Sequence, residues 1–190
     1  MHTNIKATDL FEAAEKGHLD VVQFLVENGA DIHADNDHAI QWAAENGHLD
    51  VVRFPIENEA YIHADNDYAL RWAAGNGHLD TVRLLVENGA DIHTYSDSAL
   101  WFAAVNGHLD VVRYLVKNGA DIHAHDDRAL RYAAKYGYLD VVKFLIDNGA
   151  DTSYLLDEEG NPTKITKQVL TEDQIEQAKQ LFTVRKIMTD

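Results

Sequence analysis

Asn76–His93 reads NGHLDTVRLLVENGADIH, and thirty positions later Asn106–His123 reads NGHLDVVRYLVKNGADIH. A match of this length at a fixed step marks a tandem repeat, so the period has to be settled before any local pattern is interpreted. Gly17, Gly47, Gly77, Gly107 and Gly137 carry it through five copies, near 8–37, 38–67, 68–97, 98–127 and 128–157. Within a copy, a segment such as ALRWAAGN (69–76) precedes Gly-His-Leu-Asp, and TVRLLVEN (81–88) then sets Val82, Leu85 and Val86 at helical spacing. Each copy therefore predicts two helices. Gly29, Gly89, Gly119 and Gly149 follow the second helix, where a left-handed terminating residue is wanted. The stretch after it, ADIHADND (30–37) in the first copy, is rich in turn formers.

Composition narrows the function classes. With 46% apolar and 25% charged residues in 190, the chain is expected to fold as a globular protein. Sixteen Lys and Arg against thirty-two Asp and Glu give a formal charge of −16, which repels phosphate backbones and anionic lipid. No nucleic acid and no membrane partner is expected. Cysteine is absent, which removes disulfides and thiolate metal sites. The start, MHTNIKATDLFEAAEKG, lacks the apolar core of a signal peptide, so a soluble protein of the cytoplasm is expected.

The repeated residues resemble the ankyrin repeat, whose phrase runs Thr-Pro-Leu-His, two alanines, a Gly-His turn, a Val-Val helix and Gly-Ala-Asp. The resemblance covers 8–157 and recurs five times in phase. It implies an all-α solenoid of five helix-turn-helix repeats that binds proteins and performs no catalysis. Two departures stand out. The period is thirty rather than the usual 33, which implies a clipped finger loop. The Thr-Pro opening is replaced by His38-Ala39, Tyr68-Ala69, Ser98-Ala99 and Arg128-Ala129. Thirty-residue units with this wording are similar to those abundant in giant amoeba-infecting viruses, which would place the chain in a host cytoplasm.

Residues 158–190 lie outside the period. Thr171 and Gln174 occupy capping-box positions, and Ile175, Ala178, Leu181 and Phe182 fall on one helical face, so a C-terminal capping helix is expected. The second copy carries two breaks. Pro55 removes an amide donor from the interior of its second helix, at a cost of about 3 kcal/mol. Glu59 stands where the other copies have glycine, and a side chain there is strained in a left-handed conformation. Neither is accompanied by a nucleophile, base or ligand, so both read as local weakening of the frame, with a functional hinge as the other reading.

Eleven histidines raise the question of a metal. His18, His48, His78 and His108 fall in the turn between helices, where the resemblance implies a structural hydrogen bond. His33, His63, His93 and His123 follow each second helix. Helices in neighbouring copies pack about 8–10 Å apart, too far for histidines in successive copies to share one ion. No metal and no cofactor is expected. Ankyrin proteins with Leu-x₅-Asp-Ile-Asn at this place are substrates of an iron- and 2-oxoglutarate-dependent asparagine hydroxylase. The same spacing here ends at His33, His93 and His123, which reads first as a loop hydrogen bond made by histidine in place of asparagine and second as candidate hydroxylation positions, while Pro55 and Tyr61 remove it from the second copy.

On a helical wheel, Ile40, Ala43, Ala44 and Gly47 face inward, leaving Trp42, Glu45 and partly Gln41 outward. The outward column reads Glu12, Trp42, Trp72, Phe102, Tyr132, and the next reads Glu15, Glu45, Gly75, Val105, Lys135. A third holds Gln41, Arg71, Trp101 and Arg131. Two readings of the aromatic column stand side by side: it fills gaps between copies, or it recognises a partner, since aromatic and Arg residues anchor interfaces. The predicted protein-binding set is therefore Trp42, Arg71, Trp72, Trp101, Phe102, Val105, Arg131, Tyr132, Lys135 and Tyr136 on the concave face, with Tyr95 and His125 in the fingers. The partner is unnamed and the chain is expected to be a monomer. Two other readings stay open: an adaptor or decoy for a host degradation or hydroxylation pathway, and a structural protein that self-associates through the aromatic column.

Overall fold

A computed structural model describes residues 7–189. The chain divides into two compact units, one up to Ala99 and one from Leu100, two residues past the junction of the third and fourth copies. The first unit contains α1 (Ala7–Glu15), α2 (Leu19–Glu27), α3 (Ala34–Glu45), α4 (Leu49–Glu57), α5 (Ala64–Gly75), α6 (Leu79–Glu87) and the beginning of α7 (Thr94–Val105). The second holds the remainder of α7, then α8 (Leu109–Lys117), α9 (Ala124–Tyr136), α10 (Leu139–Asp147), a 3-10 turn (Thr152–Leu155), α11 (Lys164–Val169) and α12 (Glu172–Thr189). The secondary structure of the described residues is helical, apart from a single bridge between Leu156 and Pro162.

Each copy contributes a first helix faced with alanine and a second faced with Val and Leu. In the first unit Ala43, Ala44, Ala73 and Ala74 are fully buried, so first helices approach closely, while Val22, Val52, Val82 and Leu85 fill the space behind them. In the second unit Leu130 and Ala133 meet Val141, Val142 and Leu145 in the same way. Burying one Val or Leu side chain contributes about 1.5–3 kcal/mol.

Both helices close with the same device. Gly17 donates to Ala14 O and His18 to Ala13 O, and after the second helix Gly29 donates to Val26 O and Ala30 to Leu25 O. These paired bonds satisfy carbonyls that would otherwise be orphaned and require a left-handed residue at the glycine. Gly47 has a second reason to be glycine. A Cβ there would lie 2.4 Å from Nδ1 of His78, whose ring is laid against the turn of the preceding copy. His78 Nε2 donates to Glu45 O at 3.1 Å, and His48 makes the same bond to Glu15 O at 2.8 Å. In the second unit Tyr138 takes the histidine's place, its ring 2.3 Å from the Cβ that Gly107 lacks.

The damaged copy keeps its geometry. α4 runs for nine residues like α2 and α6, with Pro55 buried where Leu25 and Leu85 are buried. Ala60 still donates to Pro55 O at 2.9 Å and Glu59 to Ile56 O at 3.1 Å. Glu59 sits at φ 65°, against 95–102° for Gly29, Gly89, Gly119 and Gly149, because a Cβ confines it to the narrow left-handed well.

The tail is more built than its sequence indicates. Thr171 and Gln174 form the expected capping box at the start of α12. Ala178 is fully buried and Phe182 partly so, but Leu181 is 48% exposed, contrary to the expected face. The helix packs on the 3-10 turn, where Arg185 donates to Ser153 Oγ at 2.9 Å and lies 3.9 Å over the Tyr154 ring. A second capping box, Thr163 with Thr166, opens α11, and the buried Thr166 hydroxyl also donates to Leu155 O.

Candidate functional site

The finger between copies is not a shortened hairpin but one left-handed turn. Asp35, Asn36 and Asp37 lie at φ 51°, 61° and 58°, and Asp65–Asp67, Tyr95–Asp97 and His125–Asp127 repeat the conformation. Left-handed backbone costs roughly 1–2 kcal/mol per residue and is ordinarily met one residue at a time. Asp and Asn tolerate it best, which accounts for the Asp-Asn-Asp sequences.

Two sets of side chains hold the turn. The third residue is a buried aspartate: Asp37, Asp67, Asp97 and Asp127 are 3–6% exposed. Asp67 Oδ1 accepts from His63 Nδ1 and from the Asp91 amide, each at 2.9 Å, and its Oδ2 accepts from Thr94 Oγ1 at 2.7 Å. In the second unit Asp127 accepts from His123 Nδ1 at 3.2 Å and from the Asp151 amide at 3.0 Å. The candidate hydroxylation positions His33, His93 and His123 all direct Nδ1 at such an aspartate, as His63 does without the Leu-x₅-Asp-Ile pattern.

The second set is the third column of the wheel. Gln41 donates to Asn36 O at 2.8 Å and to Asp65 Oδ2 at 3.1 Å, and is 2% exposed rather than outward. Arg71 donates from Nε to Asn66 O and from Nη2 to Asp65 O, both at 2.9 Å. Arg131 does the same to Asp126 O and His125 O. Arg71 and Arg131 were expected to meet a partner, Gln41 was not; the first task of all three is to satisfy the carbonyls of the left-handed turn with which their own element opens.

In the first unit the remaining candidates gather around Arg71. Its guanidinium lies 5.1 Å from the Tyr95 ring and 5.7 Å from that of Tyr68. Asn66 Nδ2 donates to Tyr95 Oη at 3.1 Å, which fixes a tyrosine that stays 61% exposed. Trp72 is half-buried beside Tyr68, centroids 5.6 Å apart, whereas Trp42 is 37% exposed with His38 against its edge. Tyr68 donates to Glu45 Oε2 at 3.0 Å, and burial, with the Glu45 carboxylate second, pushes its hydroxyl up to about 12.

The second unit forms a continuous aromatic cluster. Trp101 stacks on Phe102 at 4.5 Å and meets Tyr132 edge-on at 5.9 Å, and Tyr132 lies 6.5 Å from Tyr136. Arg128 lies 3.5 Å over Trp101, and Lys135 stands 5.5 Å from Tyr132. Val105 is half-buried, while His125, Arg131, Lys135 and Tyr136 are exposed. The Trp101 indole N–H is buried without an acceptor, the single such side-chain atom among the described residues.

His38, Tyr68 and Arg128 were missing from the candidate set. Their signal lay in the replaced Thr-Pro opening: the position precedes the first-helix aromatic by four, so the two side chains share a face. Among the described residues no cluster of three or more His, Asp or Glu could hold a metal ion, and no helix is long and apolar enough to cross a membrane.

No curated protein matches the chain. A family model for ankyrin repeats, in three copies, matches residues 10–96 and again 93–155, which spans α1 to α10 except the first residues of α1 and leaves α11 and α12 outside. With that coverage, and with the Gly-His seat and left-handed glycine turns in place, the chain belongs to the ankyrin-repeat family.

Proposed function

We propose that this chain is a non-enzymatic interaction module that binds a protein through its first-helix face, the concave face of such an array, and through its finger turns. Ankyrin repeats are generally protein-interaction modules, and the reading is supported above all by the placement of large aromatics. Trp42, Tyr95 and Tyr136 keep 37%, 61% and 57% of their surface exposed on first helices and fingers. The frame beneath them is closed by its own hydrogen bonds, so these rings are free to be covered by another molecule. Exposed aromatics with few rotatable bonds anchor interfaces at small entropic cost. The formal charge of −16 favours a protein over nucleic acid.

Capture from a lysate of the cells that make the protein tests this, comparing wild type with Trp42→Ala and Tyr136→Ala, each checked for folding by circular dichroism. Proteins retained by wild type and lost from both variants support the reading. An identical retained set from all three removes the first-helix face from it.

A further inference from the structure

The second unit carries a pocket where the end of its last first helix meets the tail. It lies between α9, the 3-10 turn and α11, encloses about 320 Å³, and is lined by Arg131, Lys135, Lys164, Tyr154, Ala134 and Ile165 among others. None of its lining residues is acidic, in a chain where acids outnumber bases two to one. Arg131 spends two N–H groups on His125 O and Asp126 O, which fixes the plane of the guanidinium and leaves three N–H groups uncommitted. Lys135 lies beside the rings of Tyr132 and Tyr136, and among the described residues neither it nor Lys164 forms an ion pair with a carboxylate. Of the two acids that act on Tyr154, Asp127 is buried and committed to His123 and the Asp151 amide, and Asp126 is exposed to solvent. By contrast, the neighbouring pocket beside Phe182 balances Arg185 and Lys186 with Asp157 and Glu158.

We infer that this pocket receives an acidic segment of the protein partner, its carboxylates on Arg131, Lys135 and Lys164 and an aliphatic side chain against Ala134 and Ile165. Three cations without an ion pair among the described residues, in a partly enclosed space, attract carboxylate, and a fixed guanidinium offers it paired donors. The volume suits a few side chains rather than a folded surface. The inference rests on the protein-binding reading above and adds the chemistry of one subsite.

The test is fluorescence anisotropy on the full chain, with a labelled Asp-Glu-Leu-Glu-Asp peptide as probe and Asn-Gln-Leu-Gln-Asn as its neutral control. The acidic peptide is expected to bind saturably and to weaken with added salt. Lys135→Glu with Lys164→Glu should reduce affinity at least about tenfold, Lys135→Ala with Lys164→Ala by less, and Phe24→Ala, on the exposed side of α2, not at all. Equal binding of the two peptides, or wild-type affinity in the charge-reversed variant, overturns the inference. So does displacement of the peptide by inorganic phosphate, or by a short single-stranded DNA, as readily as by unlabelled peptide. Because Trp42 lies in the other unit, loss of captured partner in Trp42→Ala without peptide binding by wild type defeats this inference alone. Peptide binding with unchanged capture by Trp42→Ala defeats the first-helix reading alone.

Discussion

Asp67, 3% exposed, receives Thr94 Oγ1 on one carboxylate oxygen and His63 Nδ1 on the other, and so ties two successive copies of the first unit together through a left-handed turn. Its removal leaves three donors without their acceptor. Asp67→Ala should lower unfolding free energy by about 2–4 kcal/mol, whereas Thr94→Val, which deletes one donor only, should cost about 1 kcal/mol. Urea denaturation measures both, and equal losses would show that the carboxylate is not the hub of the joint.

Gly47 and Gly29 separate two reasons for glycine. Both have positive φ, but a Cβ at Gly47 meets the His78 ring at 2.4 Å and one at Gly29 meets nothing within 4 Å. Gly29→Ala should cost about 1 kcal/mol of left-handed strain. Gly47→Ala should cost at least about 2 kcal/mol, because the histidine must also leave its seat and its bond to Glu45 O. Thermal unfolding of the two variants, compared at one scan rate, gives the difference directly.

Pro55→Leu with Glu59→Gly should stabilise the protein by about 2–4 kcal/mol, restoring a helix donor and relieving the left-handed side chain. α4 already has the length and turn geometry of its neighbours, so the exchange needs little rearrangement. A raised thermal midpoint with unchanged capture of partner is expected; an unchanged or lowered midpoint would show that the proline packs too well to be a defect.

Tyr68 should ionise near pH 12 rather than 10, since burial and the Glu45 carboxylate both disfavour the phenolate. Its folded pKa lies above the unfolded value, so the stability it contributes is present below pH 10 and is lost as pH rises from 10 toward 12. Spectrophotometric titration near 295 nm, as a difference between wild type and Tyr68→Phe, should assign the missing step to the high-pH end.

Much of this was legible from Gly77, His78 and Val82, because a thirty-residue step repeats every constraint five times. The finger was not. Asp35-Asn36-Asp37 advertises a turn, yet nothing local says that three consecutive residues will be left-handed; that follows from a buried aspartate whose partners, such as Asp91 and Thr94, lie in the next copy. A helical wheel likewise put Gln41 partly outside, where it is buried, and did not foresee the bonds of Arg71 and Arg131, since it contains no term for the carbonyls five and six residues earlier that these side chains reach. Leu181 misled for a related reason. α12 packs along Ala178 and Arg185 on a 3-10 turn that no periodicity foretells.

The claim that a protein covers the first-helix face is tested most directly by hydroxyl-radical footprinting of the chain with and without its captured partner. Trp42, Tyr95 and Tyr136 are exposed and reactive, and Phe24, 61% exposed on the second helix α2, is an internal control on another surface. Labelling of the three first-helix and finger rings should fall severalfold on complex formation while Phe24 stays unchanged. Protection of Phe24 with undiminished labelling of Trp42, Tyr95 and Tyr136 would contradict the account.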